Sequence, residues 1–173
     1  VRTMPAGGEN EQMRQSTLGR DLPMLGLLAM AVLGVMVVGG MTTASAIPDW
    51  YSAIKRPAWT PPNWVFGPAW TLLYALMVIA AWLVWRRRRL SPIGAAMTAW
   101  WIQLGLNLGW TLLFFGLRRP DLALAEIALL WLAIAVTVFL FWRARPLAGL
   151  LLVPYLAWVS YAASLNAGIV ALN

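Results

Sequence analysis

The sequence predicts an all-α integral membrane protein, a bundle of five transmembrane helices. Three observations lead there. Of its 173 residues, 61% are hydrophobic and 11% are charged, where ordinary soluble domains carry about 45–50% and about 25%. The apolar residues fall into five stretches long enough to cross a bilayer as helices, about 20 residues each. The Lys and Arg residues gather in short segments between those stretches, as they do in membrane loops. A soluble globule would lack the charges to cover its surface, and a disordered chain would need far less apolar content. No stretch shows the alternation at roughly ten-residue length that a membrane β-barrel requires.

Taken in order, residues 1–21 are polar, with Gly7-Gly8 and mixed charge, and are expected to form a mobile tail. Residues 22–173 are expected to form one membrane domain. Its first span covers residues 22–46. Arg14 and Arg20 before it and Ala44-Ser45-Ala46 at its end imitate a secretory signal. The apolar run is longer than the usual signal core of about 7–15 residues, so the segment is expected to be retained. The loop that follows, PDWYSAIKRPAWTPPNW at 48–64, is stiffened by Pro57, Pro61 and Pro62, which fix their own backbone and restrict the residues before them. Such a loop is suited to lie over the bundle as a lid.

The second span covers residues 65–85 and ends in the run RRRRLSP at 86–92, read as an anchor at anionic headgroups. The third covers 93–115, the fourth 122–142 and the fifth 147–172. GLRRPD and RARP link the last three, with Pro92, Pro120 and Pro146 near the starts of helices, where a missing N–H costs little. Pro154 is expected to bend the fifth helix. Short links predict that consecutive helices are antiparallel neighbours. Arg2, Arg14, Arg20, the run 86–89, Arg143 and Arg145 fall on one side of the membrane. Lys55, Arg56, Arg118 and Arg119 fall on the other. The excess places the N-terminus in the cytoplasm of a bacterial cell, with the long loop outside.

Cys and His are both absent, which removes disulfides, Cys/His metal sites, thiol nucleophiles and histidine acid–base catalysis. No metal site and no conventional catalytic set is expected. The net charge of +7 is explained by the membrane loops and implies no nucleic acid. Glu126 is the one acid well inside a span and the candidate for a proton-coupled role; beside a helix N-terminus it also complements the macrodipole. Gln103 and Asn107 share a helix face at i, i+4, as do Trp70 and Tyr74. Asn107 and Trp110, and Tyr155 and Trp158, pair at i, i+3. Ser160, Ser164 and Asn166 add polar groups to the fifth helix. These faces are either packed core or the walls of a pocket for a flat hydrophobic ligand, since stacking needs no charged partner. Trp50, Trp59, Trp64, Trp85 and Trp142 fall near membrane borders, where indole rings are favoured. Gly105-x-x-x-Gly109 suggests a homodimer through the third helix.

Several of these segments together resemble the TspO/MBR family, the tryptophan-rich sensory proteins related to the mitochondrial translocator protein. They are Trp50-Tyr51-x-x-x-Lys55-x-Pro57-x-Trp59-Thr60-Pro61-Pro62, Trp64-Val65-Phe66-Gly67-Pro68-x-Trp70, Gln103-Leu104-x-Leu106-Asn107-x-x-Trp110, Phe114-Phe115-Gly116, Pro154-Tyr155-x-x-Trp158 and Leu165-Asn166. The likeness runs over about residues 25–173. It implies five membrane helices, often dimeric, and a pocket within the bundle beneath the first loop that takes porphyrins of the protoporphyrin IX type. Carried onto this chain, the pocket positions are Tyr51, Trp70, Asn107, Phe114, Trp158 and Ala162. Apart from the resemblance, the charges of the first loop lead us to expect Lys55 and Arg56 at the pocket mouth, where cations would meet ligand carboxylates. The resemblance implies that no cofactor is required and that porphyrin is the ligand. Tetrapyrrole sensing or transport is the first functional expectation. Light-dependent porphyrin breakdown involving Trp70 and Trp158 is a second, and a small proton-coupled exporter is a third.

Overall fold

The computed structural model describes residues 6–173, with side chains from residue 21 onward. Five long helices make up the molecule, and no strand occurs among the described residues. Helix α1 spans Ala6–Ala46, α2 Phe66–Trp85, α3 Gly94–Thr111, α4 Pro120–Ala144 and α5 Pro146–Leu172. The segment expected as a polar tail is therefore helical from Ala6 and runs without a break into the first span. Residues 1–5, with the Arg2 counted toward orientation, lie outside the described residues.

Pro120 and Pro146 each occupy the first position of their helix, as their lost N–H donors allow. α5 continues through Pro154 to Leu172. By length and composition four of the five helices are apolar enough to cross a membrane alone. α3 falls short because it carries Trp100, Trp101, Gln103 and Asn107. Gln103 and Asn107 are each 1% exposed, so the polarity that weakens this span is hidden from lipid by its neighbours. All five helices turn large aliphatic side chains outward, among them Met30, Ile79, Ile102, Leu132 and Leu150. That is the outside of a protein whose solvent is hydrocarbon.

The helices close in the order α1, α2, α5, α4, α3 and back to α1. α2 and α3 pack little on each other although their link is short, so the up-and-down neighbour expectation fails at that step. α2 instead lies between α1 and α5. The α4–α5 pair is the most intimate. A Cβ on Gly149 would stand 2.8 Å from the backbone N and Cα of Trp142, so only glycine lets α5 turn this tightly onto the end of α4.

At the end where α2 stops, Asp21 of α1 is 6% exposed. Its carboxylate accepts from Arg88 at 2.7 Å and faces Arg86 Nε at 3.8 Å. The Arg88 guanidinium also covers the Trp85 ring at 4.6 Å and donates to the Trp85 carbonyl. The arginine run read as a lipid anchor thus has a partner inside the protein. Gly105 faces open space, but the Cβ position of Gly109 points at Glu126 Oε1, 3.5 Å away on α4. The two glycines of the dimer motif serve different surroundings, one of them within the chain.

Candidate functional site

Two helices end in a single π turn, Ile47–Tyr51 after α1 and Leu112–Gly116 after α3. The backbone of Ser52 donates to the carbonyl of Ile47, and that of Leu117 to Leu112. Each bond reaches five residues back instead of four, which widens the turn and re-aims the side chains in it. Both turns lie at the loop end of the bundle. They bring Tyr51, Phe114 and Phe115 together: Tyr51 and Phe115 ring centroids are 5.6 Å apart, and Phe114 and Phe115 are 4.8 Å apart.

Between this small cluster and the main core lies a cavity of about 140 Å³. α1 contributes Gly39, Thr43 and, through its π turn, Ile47 and Tyr51. Asn63 comes from the short turn before α2, and Phe66, Trp70 and Tyr74 come from the first half of α2. Trp110, Thr111, Phe114 and Phe115 come from the end of α3, and Trp158, Ala162, Leu165, Asn166 and Ile169 from α5. Eight of these are aromatic and none carries a charge, so the walls offer ring faces and edges rather than ion pairs.

Of the positions singled out by the sequence, the fold gathers Tyr51, Trp70, Phe114, Trp158 and Ala162 on this one cavity. Asn107 is not on its wall. It lies beneath, where Tyr74 Oη donates to its Oδ1 at 2.7 Å and its Nδ2 donates to Tyr155 Oη at 3.1 Å. The amide joins α2, α3 and α5 below the cavity floor and sets the Tyr74 ring in the wall. Trp70 packs at 5.3 Å from Tyr74 and 6.2 Å from Tyr155, and Trp158 meets Phe66 edge-on at 6.0 Å.

Lys55 and Arg56 do not line the cavity. Arg56 lies over the Tyr51 ring at 5.2 Å and borders a shallow depression on the outer side of the loop. The Lys55 side chain is exposed. Glu126 is also absent from the wall; its carboxylate oxygens are buried against α3 without a hydrogen-bond partner among the described residues. Ser160 and Ser164 lie on the exposed side of α5, Ser160 accepting from Trp131 Nε1 at 2.8 Å. Trp59, Trp64 and Trp142 are exposed near the two ends as a border belt requires. Trp50, half-buried in the π turn at the loop end, packs 5.5 Å from Phe114.

Trp110 and Asn166, which the sequence left open as packed core or pocket wall and which are not among the positions carried over by resemblance, both line the cavity. Trp110 Nε1 donates to Asn166 Oδ1 at 3.1 Å, and Asn166 Nδ2 donates to the Pro120 carbonyl at 2.8 Å. Trp110 stacks on Phe114 with centroids 5.1 Å apart. The signal was present in the buried-amide pattern of Asn166, but its partner lies 56 positions away.

Comparison with known proteins gives a consistent result. The TspO/MBR family pattern matches residues 27–172. The tryptophan-rich protein TspO of Archaeoglobus fulgidus is 41% identical over 145 residues, 83% of this chain and 93% of that protein. Protein CrtK of Rhodobacter capsulatus is 42% identical over 127 residues, 72% of this chain and 78% of that one. The human translocator protein is 34% identical over 151 residues, covering 84% and 86%.

Proposed function

We propose, since this chain belongs to the TspO/MBR family, that its cavity takes up a flat, hydrophobic tetrapyrrole of the protoporphyrin IX type. The protein would then serve as a membrane receptor or carrier in tetrapyrrole sensing or regulation. The observation that supports this most is the cavity wall, aromatic from four directions and free of charge. A macrocycle presents two large π faces and an apolar rim, and aromatic side chains match both. Its carboxylates would remain at the loop end, where Arg56 already lies across the Tyr51 ring.

The test is a titration of detergent-purified protein with protoporphyrin IX in the dark, followed by tryptophan quenching and the Soret band. Wild type is expected to saturate. A Trp70→Phe, Trp158→Phe double variant is expected to bind at least about tenfold more weakly, the loss of roughly 1.4 kcal/mol. Arg56→Ala is expected to weaken the dicarboxylate porphyrin but not its dimethyl ester. Absence of saturable binding by wild type would set the reading aside.

One observation favours a second reading: Trp70 and Trp158 both line the cavity, within contact of anything stacked there. Light-dependent breakdown of the bound macrocycle would appear as bleaching through many turnovers. Bleaching that stops after one equivalent would leave only binding. Glu126 lies off the cavity wall, so no observation favours a proton-coupled exporter over these two.

A further inference from the structure

The cavity as it stands, about 140 Å³, is well below the roughly 300–1,000 Å³ of sites that take drug-sized ligands. A larger guest requires part of the wall to move. The helices are tied by buried packing and by the Tyr74–Asn107–Tyr155 bridge. The loop between Tyr51 and Asn63 is different, for both its ends line the cavity and its middle is held by a few discrete contacts with α5.

Those contacts converge on residues 55–59. Asn173 Oδ1 accepts from the Lys55 backbone N–H at 3.0 Å, and Asn173 Nδ2 donates to the Lys55 carbonyl at 3.0 Å. This amide therefore pairs with the loop backbone as a neighbouring strand would. Tyr161 Oη donates to the Trp59 carbonyl at 2.7 Å. Between them Pro57 is buried in a loop whose other residues are exposed or half-buried. It approaches Gly168 so closely that an added Cβ would overlap the Pro57 ring and stand 3.4 Å from the Trp59 indole. The loop is also braced internally, because Thr60 donates to the Pro57 carbonyl through both its backbone and its hydroxyl.

We infer that Tyr161 and Gly168 of α5, with Asn173 just beyond its end, form a latch that holds the first loop closed over the cavity, and that its release admits the ligand. They are positioning residues, since none of the three lines the cavity. The inference names the regulation of the site proposed above and rests on that reading only for the identity of the guest.

The experiment reads lid opening without any ligand. The chain has no cysteine, so Ala162→Cys places a single thiol on the cavity wall. Its rate of modification by a charged, water-soluble methanethiosulfonate reports access from the loop end. Adding Tyr161→Phe or Asn173→Ala is expected to raise that rate about fivefold, the population change produced by the net worth of one hydrogen bond. Gly168→Ala is expected to do the same by displacing Pro57. Rates within twofold of the parent in all three, with unchanged melting temperatures, would overturn the latch.

A second arm guards against variants that fold poorly. The built Cβ of Gly168 lies 3.3 Å from Pro57 Cβ, near the spacing of a disulfide. A Pro57→Cys, Gly168→Cys variant, otherwise wild type, is expected to associate with protoporphyrin IX at least tenfold more slowly when oxidised and to recover with reductant. Equal rates in both states would also overturn the proposal. If the thiol variants open the lid but wild type binds no porphyrin, the latch stands and the tetrapyrrole reading falls. If porphyrin binds and neither arm responds, the latch alone falls.

Discussion

Asn107 uses both ends of its amide on tyrosines from two other helices. In a membrane interior such a group has no water to fall back on, so its loss strands two hydroxyls. Asn107→Ala is expected to cost about 2 kcal/mol in thermal or detergent unfolding, where an unsatisfied buried partner costs about 1–3 kcal/mol. Tyr74→Phe removes one donor and is expected to cost about half as much. The residue types of the pocket were legible because apolar spans make polar and aromatic exceptions conspicuous. Their roles were less so. Asn107 reads equally as ligand contact or as scaffold, and only the positions of Tyr74 and Tyr155 decide for scaffold. Trp110 and Asn166 sit on different helices, and no spacing rule joins them.

At the level of elements, the spans over 65–85 and 147–172 fall within one residue of α2 and α5. Continuous apolar runs bounded by arginine and proline leave little choice of limits. The two π turns were not legible, since nothing in IPDWY or LLFFG marks a five-residue hydrogen-bond step. Nor was the α2–α5 pairing, because link length fixes direction but not which faces meet. The α4–α5 corner gives a sharp test. Gly149→Ala forces a methyl against the Trp142 backbone and is expected to destabilise by about 2 kcal/mol, as overpacking does. Gly105→Ala, in open space, is expected to be neutral or slightly stabilising by helix propensity. At the arginine end, Asp21→Asn keeps the shape but discharges the partner of Arg88. A loss of about 2 kcal/mol is expected, between the worth of surface and buried pairs. Arg87→Gln, at a residue with no ion pair among the described residues, is the matched control, expected to change stability by less than about 0.5 kcal/mol.

The whole molecule has an aliphatic belt on the outside of every helix, an ion pair with clustered arginines at one end, and an aromatic cavity under a latched loop at the other. This polarity suits a protein that meets a hydrophobic guest at one membrane face. It follows from burial: apart from Glu126 the charges are at the ends, and deep in the bundle the Tyr74–Asn107–Tyr155 and Trp110–Asn166 groups are tied to each other, while Gln103 and Glu126 have no hydrogen-bond partner among the described residues. The claim that the cavity itself is the binding site is tested most directly by filling it. Ala162 is small and faces the cavity, so Ala162→Phe occupies the space with a side chain the walls already favour. Protoporphyrin IX titrated in the dark should then lose saturable binding by at least tenfold, while the melting temperature holds or rises. Wild-type affinity in a folded Ala162→Phe protein would contradict the assignment and place the ligand on another surface.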